Sequence, residues 1–250
     1  MPVITAAPTG SSAVLTFNNV TFGYREGQNI LRNSSFSLER GKTYAMVGPT
    51  GGGKTTTASL MARLHDPAAG TVLLDGRDIR SYAPEERTAK IGFILQEPFL
   101  FTGTVRDNIV YGNSRYRDLS SEQLVEVLKA NHLGELLVRF EHGLDTKVTS
   151  SGDSVSLGQK QLIAFMRAVL RNPELLILDE ATANIDTLTE KLLQDILDKL
   201  PSTTTRVIIA HRLNTIANAD EIFFVNAGEI IPAGSMEQAV DMLLHGKRES

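Results

Sequence analysis

The residues best suited to chemistry form one continuous run, residues 48–55, with the sequence GPTGGGKT. The run satisfies the pattern G-x-x-x-x-G-K-[ST] and joins a β-rich segment, TYAMV, to a predicted helix. Its glycines allow backbone N–H groups to converge on an anion, and the helix N-terminus adds a favourable dipole. Lys54 would reach the terminal phosphates of a nucleotide, and the Thr55 hydroxyl would bind Mg²⁺. We therefore predict a nucleotide-phosphate site formed by Gly48, Pro49, Thr50, Gly51, Gly52, Gly53, Lys54, Thr55 and Thr56.

A second candidate for chemistry is the pair of acids that ends the run LLILDE, residues 175–180. Four consecutive apolar residues predict a buried strand, and open α/β sheets place their ligand sites at the carboxyl ends of such strands. Asp179 would hold Mg²⁺ through water, and Glu180 would orient or deprotonate an attacking water. The alternative is a strand that ends in two solvated acids, and the pair alone does not decide between them.

The elements that must position these residues change character along the chain. Residues 14–47 contain short β-rich runs separated by turns, which predict an antiparallel part. A helix is predicted over residues 54–65, and two strands are predicted in TVLLDG and IGFILQ. Strand signals vanish over residues 97–171, which we interpret as a helical insertion. After Pro173 strands alternate with helices, so we predict an α/β fold with a mostly parallel sheet.

Composition restricts the class of protein. The 250 residues, 42% hydrophobic and 22% charged, are ordinary for a folded domain, and the net charge of -4 argues against a nucleic-acid partner. The absence of cysteine excludes disulfides and thiolate metal sites. No apolar run approaches the roughly 20 residues that cross a bilayer. We interpret residues 1–13 as a flexible leader or linker and residues 14–250 as one domain.

Five motifs, in this order, resemble those of the nucleotide-binding domain of an ABC transporter: GPTGGGKTT, a glutamine at position 96, SVSLGQKQ, LLILDEAT and IIAHRL. The segment LFTGTVRDNIVYG, residues 100–112, is similar to the stretch of exporter-type members in which the helical insertion meets the transmembrane domains. The resemblance implies a P-loop NTPase core that binds ATP and Mg²⁺ and hydrolyses ATP at the cytoplasmic face of a membrane. It also implies two partners, the transmembrane domains of an exporter and a second nucleotide-binding domain arranged head to tail with the first.

Individual site residues carry over from this resemblance. Tyr24 resembles the aromatic residue that stacks on adenine, although an ordinary strand aromatic is the alternative. Gln96 resembles the glutamine that contacts Mg²⁺ and water, and His211 the histidine that contacts the γ-phosphate. The implied catalytic residues are Glu180, His211 and Gln96, and the implied metal ligands are Thr55, Gln96 and Asp179. No role is assigned to His65, His132, His142 or His245.

The segment VSLGQ, residues 155–159, resembles the signature of the family, which contacts the ATP held by the second domain. The implied contacts come from Ser156, Gly158 and Gln159. A plain capping box that starts a helix is the structural alternative for Ser156 and Gln159, and both roles can hold at once. Asp186 resembles an acid at the dimer interface, with a helix N-cap as the alternative.

The signature also departs from the usual LSGGQ, because Val155 and Leu157 replace its leucine and first glycine. A leucine side chain at that position would hinder close backbone contact with phosphate. Residues 149–151, TSS, stand where exporters often carry Gly-Glu-Arg. These departures leave open whether the second domain is an identical copy or a different subunit of a heterodimer. They also keep two alternatives to an export motor, a weakly hydrolysing regulatory subunit and a soluble ABC-class ATPase outside transport.

Overall fold

The computed structural model describes residues 12–149, 154–179, 185–209, 218–233, 237–238 and 241–242. The chain splits into two compact units: the first comprises Met1–Ile91, Glu174–Asp179 and Ser202–Ser250, and the second comprises Gly92–Pro173 and Glu180–Pro201. In chain order the strands and α-helices are β1 (Ala13–Phe22), β2 (Leu31–Glu39), β3 (Thr43–Val47), α1 (Lys54–Met61), β4 (Ala69–Leu74), β5 (Arg77–Asp78), α2 (Pro84–Lys90), β6 (Ile91–Ile94), β7 (Gly103–Thr104), α3 (Val105–Val110), α4 (Ser121–Ala130), β8 (Lys147–Val148), α5 (Leu157–Val169), β9 (Leu175–Asp179), α6 (Thr187–Asp198), β10 (Thr205–Ile209), β11 (Glu221–Asn226) and β12 (Glu229–Pro232).

The antiparallel part of the first unit is a sheet with the strand order β2-β1-β4-β5. β1 is longer than the short runs in its sequence suggest, because a register shift between Phe17 and Val20 carries it past Asn19, whose φ is +48°. Alternate residues of β1, such as Leu15 and Phe17, are buried, as expected for a strand with one face on the core. The predicted antiparallel N-terminal part is confirmed.

The parallel part of the first unit brings the predicted chemistry to one edge. β3 pairs in parallel with β10 and β11, and β10 pairs in parallel with β9. Ile209 at the end of β10 faces Met46 of β3 on one side and Asp179 of β9 on the other. β12 adds an antiparallel edge to β11. The predicted mostly parallel α/β sheet is confirmed, and its strands are nearly continuous apolar runs because both faces are covered.

The helix predicted over residues 54–65 is wrong at its end, because α1 stops at Met61. The Leu64 N–H donates to the Ser59 carbonyl and the Arg63 N–H donates to the Leu60 carbonyl, which is the Schellman arrangement of a helix C-terminus. Arg63 occupies the left-handed position with φ +53°, where glycine is usual. The predicted helix extends past this turn because the prediction is based on apolar periodicity alone.

Two further elements of the first unit lie where no element was predicted. α2 has no buried residue, so no apolar stripe marks it in the sequence; its start is set by Pro84 and by Glu86, which accepts a hydrogen bond from the Ala83 N–H at 3.1 Å. β12 follows a tight turn in which Ala227 and Gly228 have positive φ.

The second unit contains α3, α4, α5 and α6. Its helical character over residues 97–171 was predicted, but strand structure is not absent there: β7 and β8 form a short antiparallel pair, Gly103 facing Val148 and Thr104 facing Lys147. Two residues a strand are too few for a periodicity signal. α5 begins one residue after Ser156, close to its predicted start.

Candidate nucleotide site

The loop of residues 48–53 leaves the buried strand β3 and enters α1 through three glycines with positive φ: Gly48 at +149°, Gly51 at +78° and Gly53 at +111°. Neighbouring atoms also restrict the first of them, because a Cβ at Gly48 would lie 2.0 Å from the Val225 carbonyl oxygen of β11. Close approach and positive φ together require glycine at position 48. Because its glycines carry no side chains, the loop backbone can approach an anion closely, as an anion cradle needs.

Lys54 is the cation of this loop. Its Nζ donates to the Gly48 carbonyl at 2.8 Å and to the Pro49 carbonyl at 3.0 Å, and the residue is only 5% exposed. The first turn of α1 follows at once, with the Thr57 N–H bonded to the Gly53 carbonyl at 2.8 Å. A buried ammonium group beside the positive end of a helix favours the binding of phosphate.

Thr55 and Asp179 meet although 124 residues separate them. The Thr55 Oγ1 donates to the Asp179 Oδ1 at 3.2 Å, and Asp179, the last residue of β9, is 2% exposed. A hydroxyl and a carboxylate are hard oxygen ligands of the kind Mg²⁺ prefers, usually completed by water and substrate phosphates. The oxygen chemistry of Thr55 and Asp179 therefore fits Mg²⁺. Among the described residues no group of three or more His, Cys, Asp or Glu could hold a metal ion.

Tyr24 lies beside α1, with its hydroxyl 3.3 Å from the Thr56 Oγ1. The ring packs edge-on against Phe22 at 5.1 Å between centroids, yet the residue remains 54% exposed. An exposed aromatic ring anchored on a buried one provides a platform for stacking. Tyr24 therefore joins the phosphate loop and Asp179 in the first unit.

The signature residues belong to the second unit. Ser156 caps α5: its Oγ accepts from the Gln159 N–H at 3.1 Å, and the Gln159 Oε1 accepts from the Ser156 N–H at 2.9 Å. The predicted capping box is therefore present, and Gly158 lies in the first turn. Gln96 is in the same unit. Its backbone carbonyl oxygen accepts a hydrogen bond from the Nε2 of the buried Gln161 at 3.0 Å.

The profile of the ABC transporter family matches residues 31–183 of the chain. The chain belongs to the ABC transporter family. It is 45% identical over 93% of its length to an uncharacterised ABC transporter ATP-binding protein, YfiC, of Bacillus subtilis. It is 41% identical over 90% of its length to YgaD of the same organism, described as a putative multidrug export ATP-binding/permease protein.

Other comparisons point to exporters. A fatty acid ABC transporter ATP-binding/permease protein of Mycobacterium bovis is 41% identical over 88% of the chain. A bacterial Atm1-family ABC exporter solved with ATP bound superposes with a TM-score of 0.81 and 34% identity over 99% of the chain. This ABC-family chain spans only 34–38% of those three curated relatives and 42% of the solved exporter chain. Within the part of the chain that is described, no helix is long and apolar enough to cross a membrane.

Two predicted residues of this ABC-family chain, Glu180 and His211, lie outside the described residues. Asp186 is the N-cap of α6, since its carboxylate accepts from the Thr189 N–H at 3.0 Å and from the Thr189 hydroxyl at 2.6 Å. The pKa of Asp186 lies below its usual range. The hydrogen bond from the Thr189 hydroxyl is the main cause, and the hydrogen bond from the Thr189 N–H is the second. Val225 and Gln161 carry no signal in the sequence, because each acts through a contact with a residue distant in the chain.

Proposed function

We propose that this chain is the ATP-hydrolysing motor domain of an exporter, which dimerises around ATP with a second nucleotide-binding domain. The observation that carries the proposal is the meeting of the loop of residues 48–55 with Asp179 through the 3.2 Å contact from Thr55. A phosphate cradle and a buried acid at the same sheet edge suit a nucleoside triphosphate with its metal.

Different residues of the chain would bind the phosphates, the metal ion, the attacking water and the base. The backbone N–H groups of the loop and Lys54 would hold the β- and γ-phosphates, while Thr55 and Asp179 would hold Mg²⁺, with Gln96 as a further ligand. When bound, Mg²⁺ supplies positive charge that neutralises the phosphates during transfer. Glu180 would take a proton from the attacking water, and His211 would contact the γ-phosphate. Tyr24 would stack on adenine.

A second domain would complete the site, with the signature segment of each domain facing the phosphate loop of the other. Ser156 is exposed at the start of α5, so its hydroxyl and the first N–H groups of that helix can face a γ-phosphate held by another subunit. Leu157 is only half-buried and would crowd that contact. This crowding favours a partner subunit that differs from this chain. The altered signature would then face the phosphate site of that partner subunit.

The transmembrane domains would dock on the second unit, which would place the chain at the cytoplasmic face of a membrane. Phe99 and Tyr111 are 65% and 51% exposed, and they border a groove of about 250 Å³. Arg167 lies over the rings of Phe101 and Tyr111 at 5.9 Å from each. Burial lowers the pKa of Arg167 to about 10, so the groove keeps a positive charge at neutral pH. The groove is also lined by Arg171, and apolar rings around two guanidinium groups suit a peptide segment with apolar side chains and an acceptor group.

Phosphate release from MgATP tests the motor. We expect turnover by the parent chain, either alone or mixed with a candidate partner domain. Glu180→Gln should keep nucleotide binding and lower turnover by about 10³-fold, the scale of general-base loss. Lys54→Ala should lose tight nucleotide binding. Glu141→Gln, at an exposed position of the second unit, is the matched control and should change neither quantity.

Three results would revise the proposal. Turnover by Glu180→Gln at the parent rate would show that Glu180 is not the base. Tight ATP binding without turnover under both conditions would favour a regulatory nucleotide-binding subunit. ATP-dependent self-association of the chain with full turnover at both sites, measured by light scattering and phosphate release, would exclude the obligatory heterodimer.

A further inference from the structure

Three aromatic rings of the first unit form a closed cluster at the edge of the nucleotide site. His65 lies 5.2 Å from the ring of Tyr24, nearly perpendicular to it, and 5.4 Å from the ring of Phe22. Tyr24 is itself edge-on to Phe22 at 5.1 Å. Phe22 is buried, whereas Tyr24 and His65 are exposed. The two exposed rings therefore restrain each other on one buried support.

His65 reaches this position because the chain turns back after α1. The turn depends on Arg63 in the left-handed region, with φ +53°, a conformation that residues other than glycine rarely adopt. The Arg63 side chain is held in place, since Nε donates to the Asp66 Oδ1 at 3.1 Å and Nη1 donates to the Arg80 carbonyl at 3.1 Å. A continued helix would carry residue 65 along the axis of α1 instead of back to Tyr24.

Both ends of α1 thus act on Tyr24. At the N-terminal end, the Thr56 hydroxyl contacts the Tyr24 hydroxyl at 3.3 Å. Beyond the C-terminal end, His65 contacts the ring of Tyr24. A half-exposed tyrosine without such contacts samples several rotamers, and a ligand that stacks on it must first order it.

We propose that His65 is a positioning residue for nucleobase binding, which holds the ring of Tyr24 in the orientation that stacks on the base. The inference rests on the proposed function, because it takes Tyr24 as the platform of the same ATP site. His65 would contribute by ordering Tyr24 before the ligand arrives. Its effect should therefore fall on ligands that carry a base and spare ligands that consist of phosphates alone.

The experiment compares two ligands on the 250-residue chain by calorimetric titration in the presence of Mg²⁺. One is β,γ-imido ATP, which has a base and resists hydrolysis, and the other is inorganic tripolyphosphate. The variants are His65→Ala, His65→Phe, Tyr24→Ala, the double variant that combines Tyr24→Ala with His65→Ala, and Lys54→Ala. The matched control is His142→Ala, which removes an exposed histidine of the second unit.

We expect His65→Ala to weaken binding of the ATP analogue about fivefold, from a lost aromatic pair of ordinary strength, and to leave tripolyphosphate affinity unchanged. His65→Phe should restore the parent affinity, because a planar ring of similar size can re-form the cluster. In a Tyr24→Ala background, His65→Ala should have no further effect, since the residue to be ordered is gone. His142→Ala should match the parent for both ligands.

The inference is overturned if His65→Ala binds the ATP analogue as the parent does, or if it weakens both ligands equally. Failure of the proposed function looks different. Unchanged binding of both ligands by Lys54→Ala would show that the loop around Lys54 is not the phosphate site. Loss of binding in Lys54→Ala together with an unchanged Tyr24→Ala would keep the phosphate site and reject Tyr24 as the platform, and with it the role of His65.

Discussion

Gly48 provides the sharpest test of how the phosphate loop is held, because its constraint comes from a strand far away in the sequence. A Cβ added at Gly48 would lie 2.0 Å from the Val225 carbonyl oxygen and 3.0 Å from the Val225 carbonyl carbon. Gly51 offers a matched comparison in the same loop. Its φ is also positive, at +78°, but nothing lies within 4 Å of an added Cβ.

The expected energies follow from these contacts. Gly51→Ala carries only the cost of a left-handed alanine, about 1–2 kcal/mol. Gly48→Ala carries a similar backbone cost, and the loop or β11 must also move by about 1 Å to restore normal contact, which adds about 1–3 kcal/mol as in overpacked cores. We therefore expect Gly48→Ala to lower the free energy of unfolding by about 1–3 kcal/mol more than Gly51→Ala does.

Urea unfolding, followed by circular dichroism and by tyrosine fluorescence, measures this difference; coincident curves establish a single transition. The loop displacement should also disturb Lys54, which donates to the Gly48 carbonyl. MgATP should therefore raise the unfolding midpoint of the parent chain but not that of Gly48→Ala. Equal destabilisation of the two variants, or a normal response of Gly48→Ala to MgATP, would refute the reasoning.

Four other substitutions, at three positions, test separate parts of the molecule. Ser156→Ala should lower the free energy of unfolding by about 1 kcal/mol through loss of the N-cap. Ser156→Asp should keep the cap yet abolish ATP-dependent association, because a carboxylate repels the γ-phosphate. If Ser156→Asp still associates in the presence of ATP, capping is the one role that the data support for Ser156. Asp179→Asn should raise the Mg²⁺ concentration for half-maximal turnover at least about tenfold, and an unchanged titration would remove Asp179 from the metal site. Burial opposes ionisation of Glu174, but hydrogen bonds from Lys90 and Arg40 outweigh it and lower its pKa, so its contribution to stability is present above about pH 4.5 and lost as the pH falls. Glu174→Gln should therefore make the free energy of unfolding less dependent on pH between about 5 and 3, and an unchanged acid limb would contradict this.

Chemistry that depends on neighbouring residues could be predicted from the amino-acid sequence. The glycines, Lys54 and Thr55 are contiguous, and the roles proposed for them follow from backbone freedom and a helix N-terminus. The buried apolar run before Asp179 identified a strand end, and the Ser156 to Gln159 spacing identified a capping box, because a cap joins residues three apart. The fold class followed from the alternation of such local signals.

Features that depend on contacts between distant residues could be read only from the folded chain. Thr55 meets Asp179 across 124 residues because parallel pairing aligns the ends of β3, β10 and β9. α2 has no buried face, so no periodicity could reveal it. α1 ends at Met61 because the side chain of Arg63 is held by later residues, Asp66 and Arg80. That turn brings His65, a residue without any motif, against Tyr24, since only the folded chain sets which side chains share a surface.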